Sequence, residues 1–396
     1  MRVLMYEPTG GFWPYAHDIS QAIAELGVEV ILLTSEIRAG LNADGLQRYR
    51  LEPLARAMNP KLRLKREEPW SAVTWAVDRG KSALQWLMIR SRIVKALKPD
   101  IIHIQKTIPL FDRFFLPRFS KKHRLIITVH DVLPIATTRA IGSKQALQGV
   151  YNSADHLIVH SPRCKEELIT IFGLNPDIIS VIPHGVWPAK IIPKDESRTV
   201  LGLPSEAEIV LFFGAIRRSK GLDLAIKALS LAVKIRKNLF MVVAGSLSPE
   251  VDIEEYKKIA NEVNVEDRIK WQIGYIPETQ VPYYFCSADL VILPYTLFYS
   301  QSGVLLQAYR YGIPVVVSDK GALGETVRSD ITGIVVESLT PVAFAEAMVR
   351  LLGDLPMQLE FRRNELTKVH GDYHWKTVAK RTIAVYEYVL GKLHNE

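Results

Sequence analysis

The residues of this 396-residue chain best suited to chemistry by type and spacing lie in Gly214-Ala-Ile-Arg-Arg-Ser-Lys-Gly221. The segment follows an apolar run at 210–213 and precedes a helix-like stretch at 222–231. Arg217 and Lys220 thus flank a helix entrance, where the macrodipole disfavours cations. A diphosphate between them would resolve that conflict, with Arg binding bidentately and Lys as a point charge. A solvated basic loop is the alternative. The pattern is not a Walker A loop, which needs Gly-x4-Gly-Lys-Ser/Thr.

Tyr299-Ser-Gln-Ser-Gly303 precedes a helix-like stretch at 304–311. Ser302 suits a helix N-cap, Gly303 lets a ligand approach the helix start, and Gln307 follows about one turn later. A helix that only packs explains the same residues. Thr128-Val-His130-Asp131 ends an apolar run, so His130 is placed to bind a substrate hydroxyl or orient a reacting sugar. A hydrogen-bonded structural pair is the other reading. Gly10 and Gly11 separate a strand from a helix; they fit a phosphate loop, and a plain tight turn equally well. No Asp-x-Asp pair occurs, so a carboxylate-held metal has no local candidate, and no metal or other cofactor is expected.

The elements that must position these loops follow a repeating rhythm. Strand-like apolar runs at 2–6, 28–33, 100–104, 125–129, 156–160 and 178–182 alternate with helix-length segments. The rhythm restarts at 209–213, 239–244, 269–273, 290–293, 315–318 and 333–336. Such alternation predicts βαβ units and parallel sheets covered by helices on both faces. Pro183, Pro188, Pro193 and Pro204 mark a connection between the two halves. The expected organisation is an α/β fold: a Rossmann-like domain over 1–183, a linker over 184–204, a second Rossmann-like domain over 205–372, and a C-terminal helix over 373–396. Parallel sheets bind ligands outside the carboxyl ends of their strands, so the βα loops are the places to search.

Two distant cysteines, Cys164 and Cys286, exclude a disulfide framework and favour a reducing compartment. The N-terminus lacks the apolar core of a secretory signal, and no stretch reaches the roughly 18 apolar residues of a membrane span. A cytoplasmic protein, peripheral on a membrane at most, is expected. The net charge of +8 lies entirely in 1–183, which holds 25 Lys and Arg against 17 Asp and Glu. Within it, 70–97 sets Trp70, Trp75 and Trp86 among Arg79, Lys81, Arg90, Arg92 and Lys95. The stretch 110–124 mixes Phe111, Phe114, Phe115 and Leu116 with Arg118, Lys121, Lys122 and Arg124. Basic residues beside aromatic ones suit an anionic membrane surface; core aromatics and solvated charges are the alternative. Nucleic acid is not an expected partner.

Taken in order, Gly10-Gly11, Thr128-Val-His130-Asp131, Val181-Ile-Pro-His-Gly-Val186, Gly214…Arg217…Lys220-Gly221 and Ser302-Gly303…Gln307-Ala308…Gly312-x-Pro314 resemble retaining glycosyltransferases of family 4, with the GT-B fold. The resemblance covers nearly the whole chain and includes Ala288-Asp289 through Pro294. It implies two facing Rossmann-like domains with a cleft between them, and sugar transfer from a nucleotide sugar to a glycan, lipid-linked or small-molecule acceptor without a metal. It further implies that Arg217 and Lys220 hold the donor diphosphate, that Gly11 approaches it, and that His130 lies near the donor sugar. The two glutamates usual in that family align with Ser300 and Gln307. Gln307 can still bond a ribose, while Gln301, Ser302 or backbone N–H groups replace what Ser300 cannot reach. Tyr275 and Ile276, in Gly274-Tyr-Ile-Pro277, are the candidates for base recognition. The altered glutamates also motivate a catalytically inactive nucleotide-sugar-binding subunit, and a nucleotide-sugar epimerase shares the two-domain plan.

Overall fold

A computed structural model describes residues 1–8, 11–35, 48–54, 92–120, 123–133, 143–298 and 301–391. The chain divides into two compact units, 1–185 with 375–396, and 186–374.

The first unit contains β1 (Arg2–Glu7), α1 (Trp13–Glu25), β2 (Glu29–Ser35), β3 (Arg50–Leu54), β4 (Ile101–Ile104), α2 (Pro109–Phe119) and β5 (Arg124–Thr128). It continues through α3 (Ser143–Tyr151), β6 (His156–Val159), α4 (Pro162–Phe172) and β7 (Ile179–Val181). The seven strands form one sheet in the order β3-β2-β1-β4-β5-β6-β7. Each recorded pairing is parallel. Every residue of β4 and β6 is buried, as sheets covered on both faces require. β3 has no counterpart among the apolar runs, because it contains Pro53 and alternating charge. It lies at the sheet edge, where a missing N–H is tolerated.

The C-terminal helix, Trp375–Gly391, also belongs to this unit. Trp375, Val378, Tyr386 and Val389 are buried on it, but Ile383 is only partly so. Thr382 takes the buried position and returns its hydroxyl to the Val378 carbonyl at 2.8 Å. Trp375 lies so close to Gly185 that a Cβ there would stand 2.2 Å from the indole.

The second unit contains α5 (Lys194–Leu201), β8 (Glu208–Phe213), α6 (Leu222–Ala232), β9 (Leu239–Gly245), α7 (Ile253–Glu262), β10 (Ile269–Ile273), α8 (Val281–Ser287) and β11 (Leu290–Leu293). α9 (Gly303–Tyr311), β12 (Val315–Ser318), α10 (Ala322–Asp330), β13 (Gly333–Val336), α11 (Pro341–Gly353) and α12 (Leu355–His370) complete it. Its six strands run in the order β10-β9-β8-β11-β12-β13. Hydrophobic clusters cover both faces of this sheet, one including α6 and α11, the other α8 and α9.

Residues 186–204 form more than the connection that their prolines suggest. They belong to the second unit and contain α5, whose Arg198 is buried. Arg198 donates to the Ser287 carbonyl at 3.2 Å and pairs with Asp289 at 2.9 Å. Asp289 also accepts the Ile209 amide at 2.7 Å, so Ala288-Asp289 is a structural clamp at the start of β11.

Candidate active site

Strand order selects the loops. In the second sheet the chain leaves β8 towards β9 and β10, then returns on the other side with β11, β12 and β13. β8 and β11 are neighbours across this switch point, where open parallel sheets take ligands. The loops following them are Gly214–Gly221 and the segment from Pro294 to Ser302. In the first sheet the same switch lies between β1 and β4. The loops there are 8–12 and Gln105–Ile108, with Val129–Asp131 after the neighbouring β5.

The two loops of the second unit are locked together. Gly221 has φ +69°, and a Cβ there would stand 2.1 Å from the Pro294 carbonyl oxygen, so only glycine fits. The Thr296 amide donates to the Ser219 carbonyl at 2.9 Å. Lys220 projects its ammonium over the Tyr295 ring, 3.5 Å from the centroid, with Phe298 at 5.1 Å. Burial, followed by the Arg217 charge, lowers the Lys220 amine to about 7. Arg217 is exposed, while its neighbour Arg218 is tied to Glu255 at 2.9 Å.

Ser302 caps α9, accepting the Leu305 amide at 3.4 Å, and lies 3.2 Å from the Tyr295 hydroxyl. A hydroxyl thus joins the helix start to the ring beneath Lys220. Gly303 is exposed, and a Cβ there would meet nothing within 4 Å among the described residues, so their packing does not explain the glycine. Gln307 keeps its buried Oε1 without a partner among the described residues. Tyr275 is 78% exposed, whereas Ile276 packs against the α8–α9 core cluster. Ser300 lies outside the described residues, and Gln301 is half-buried just before the cap.

In the first unit His130 is buried, with its ring stacked on Phe12 at 4.1 Å and 12°. Its Nε2 lies 3.1 Å from Gln105 Oε1 and its Nδ1 3.1 Å from His160 Nε2. Both nitrogens are therefore occupied within the unit, and bonding to a substrate hydroxyl requires displacing Gln105. Burial pushes the His130 imidazole well below its ordinary range, helped by the nearby His160. Burial also lowers His160 to about 4 and His184 to about 3. A pocket of about 260 Å³ opens beside this cluster, lined by Phe12, Lys106, Thr107, His130, Asp131 and Tyr151 among others. Gly11 is exposed at the turn before α1, and Gly10 lies outside the described residues.

Among the described residues no cluster of three His, Cys, Asp or Glu side chains could hold a metal. His156 and His160 have a spacing that would pair them on a helix. They lie along and just beyond β6, where four residues span about 13 Å.

Residues 193–367 match the family model for glycosyl transferases group 1, and residues 9–190 that for glycosyltransferase family 4. This chain belongs to the group 1, family 4 glycosyltransferases. The glycosyltransferase is 26% identical over 280 residues to D-inositol 3-phosphate glycosyltransferase 1 of Catenulispora acidiphila, covering 68% of this chain and 66% of that one. It is 25% identical over 401 residues to an uncharacterized glycosyltransferase of Methanocaldococcus jannaschii, covering 96% and 95%. A third relative, the D-inositol 3-phosphate glycosyltransferase of Acidothermus cellulolyticus, is 30% identical over 253 residues, 61% of this chain and 55% of that one. The match thus spans slightly under two thirds of the first relative and about half of the third. Sucrose-phosphate synthase of Thermosynechococcus elongatus shares the fold with a TM-score of 0.77 at 19% identity, covering 99% of this chain and 100% of that one. Anabaena HepE in complex with UDP and glucose follows with 0.73 at 16%, covering 98% and 100%. The architecture is GT-B.

Sequence reasoning on the glycosyltransferase missed Gln105, Lys106, Tyr15 and His160. Gln105 and Lys106 directly follow β4, and that position was the available signal. It becomes pointed only when β4 is known to adjoin β1. Tyr15 and His160 gave no signal, because their contacts with His130 are made across the fold.

Proposed function

We propose that this glycosyltransferase moves a sugar from a nucleoside-diphosphate sugar to a glycan, lipid-linked or small-molecule acceptor, with retention and without a metal. The observation that carries this reading is the pair of interlocked loops at the switch point of the second sheet. They hold Lys220 half-buried on an aromatic ring, with Arg217 exposed three residues before it. A partly desolvated ammonium gains its full charge partner when a diphosphate arrives. Anabaena HepE, of the same fold, is described in complex with UDP-glucose, which supports a nucleotide-sugar donor.

In this reading Arg217, Lys220 and loop N–H groups stabilise the negative charge that develops on the departing diphosphate. The acceptor hydroxyl attacks the anomeric carbon on the face that the leaving group vacates. Its proton passes to the leaving phosphate oxygen, so no protein nucleophile is needed. Gly10, Gly11, Gln301, Ser302 and Gly303 approach the donor through backbone and short side chains. Gln307 takes the ribose, Tyr275 and Ile276 the base, and the pocket beside His130 the acceptor. The relatives named for inositol 3-phosphate make inositol phosphates the first small acceptors to try.

The test is a thermal-shift screen against UDP-, GDP- and ADP-sugars, because a ligand of the folded state raises its stability with occupancy. One nucleotide class is expected to raise Tm, and turnover with that donor to persist in EDTA. Stabilisation by none of them would remove the donor assignment. Activity lost in EDTA and restored only by Mg²⁺ or Mn²⁺ would remove the metal-free mechanism.

A further inference from the structure

The buried histidines of the first unit form a hydrogen-bonded chain whose polarity is dictated from one end. The Ile182 carbonyl can only accept, so His160, 3.0 Å away through Nδ1, carries its proton there. A neutral His160 then offers only a lone pair at Nε2, facing His130 Nδ1 at 3.1 Å. His130 must donate from Nδ1, which leaves a lone pair on its own Nε2. That lone pair and the Gln105 side-chain oxygen, 3.1 Å apart, would be two acceptors facing each other.

Turning the Gln105 carboxamide end for end removes the conflict. The amide oxygen and nitrogen have nearly the same shape, so the hydrogen-bond chain decides between them. The NH₂ group then donates to His130 Nε2, and the oxygen, 3.2 Å from His103 Nε2, shares that N–H with the Thr128 hydroxyl at 2.8 Å. The Tyr386 hydroxyl donates in turn to His103 Nδ1 at 2.6 Å. The contact given up is with the Met5 sulfur at 2.9 Å, a weak acceptor. The alternative is an extra proton on His160, which burial opposes. Reversing the His130 ring does not help, because it would set ring carbons in place of the nitrogens that now face Gln105 and His160.

We propose that the Ile182 carbonyl, His160 and Gln105 are positioning groups that hold His130 neutral, with its proton on Nδ1 and a lone pair on Nε2. His130 therefore offers a bound sugar a hydrogen-bond acceptor, for which a sugar hydroxyl competes with the Gln105 amide. The last step rests on the transferase reading; the tautomer does not.

The experiment is ¹⁵N NMR of histidine-labelled protein without substrate, with His130 assigned by the signal lost in His130→Gln. The expected result is a protonated Nδ1 and an unprotonated Nε2. His160→Leu removes the acceptor and should move the proton towards Nε2, while His160→Gln supplies an amide oxygen and restores the original pattern. In turnover, His160→Leu should lower kcat about tenfold, a barrier change of about 1.4 kcal/mol, with His160→Gln recovering most of it. A protonated Nε2 in the unaltered protein overturns the proposal, as does a His130 tautomer that His160→Leu leaves unmoved. If His160→Leu fails to fold, the unaltered protein alone still decides. A protein with no transferase activity would give the same spectrum, so the two readings fail separately.

Discussion

Lys220 concentrates the electrostatics of the second unit on one nitrogen. Its amine, ordinarily near 10.5, is lowered to about 7 by burial and by Arg217. Below that pH it is a cation ready for a diphosphate, and above it a neutral amine. Donor affinity should therefore rise as pH falls from about 9 towards 7, by up to roughly tenfold per unit. Calorimetric titration across that range checks this, and Lys220→Arg, always charged, should flatten the profile. Lys220→Ala should weaken donor binding about 10–150-fold, the usual loss for one charged contact. In the empty protein the sign is also defined. The unfolded chain binds more protons between about 7 and 10.5, so Lys220 makes stability rise with pH through that window. Gln307 gives a second residue-scale test. Its buried Oε1 has no partner among the described residues, so Gln307→Leu should leave Tm unchanged or raise it. The same change should weaken nucleotide-sugar binding by about 1 kcal/mol, or roughly fivefold, while Gln307→Glu should retain binding. Equal binding by all three proteins would take Gln307 out of the site.

At the scale of elements, the donor half-site is a clamp between two βα loops. Its pin is Gly221, left-handed and pressed on the Pro294 carbonyl. Gly221→Ala adds left-handed strain of about 1–2 kcal/mol before any clash is counted. Because the obstacle is backbone, the loops must part, carrying Lys220 away from Tyr295. Thermal unfolding and calorimetry should show a lowered Tm together with lost donor binding. A binding constant unchanged in Gly221→Ala would show that the clamp is dispensable. The Gly303→Ala change provides the contrast. Its Cβ would meet no atom of the described residues within 4 Å, so stability should hold and any loss should appear in donor binding alone.

At the scale of the whole molecule, the net charge of +8 belongs to the first half of the sequence, and no helix among the described residues is long and apolar enough to cross a membrane. We propose peripheral binding to an anionic membrane surface, in keeping with a lipid-linked acceptor. The structure trims the residues available for it. Leu116 is core, Arg124 is paired with Asp155 at 2.8 Å, and Phe114 is 53% exposed with Arg113 over its ring. The stretch 70–91, Lys121 and Lys122 lie outside the described residues. Each Lys or Arg near such a surface contributes about 1 kcal/mol, so a few suffice. Co-sedimentation should show binding to anionic vesicles that is lost in high salt, and none to neutral vesicles. Negligible binding to both at low salt would favour an acceptor free in solution.

By itself the sequence determined the strands with uninterrupted apolar runs, the helices with a clear apolar stripe, and the loops that follow them. Those features are local: burial on both faces demands apolar residues throughout, and Gly or Pro punctuates the ends. Thus β10 through β13 fall where their apolar runs lie, and Arg217, Lys220 and Ser302 stand out by position. Edge strand β3 was illegible because a strand paired on one side can keep Pro53 and its charges. Tertiary structure alone decided which loops adjoin, since the switch points between β1 and β4 and between β8 and β11 depend on strand order. It also decided that Lys220 rests on Tyr295, which lies 75 positions further on in the sequence. The chain from Tyr386 through His103, Gln105, His130 and His160 to Ile182 is of the same kind. Hydrogen-bond polarity passes between residues that only folding brings within 3.2 Å, so no spacing in the sequence could announce it.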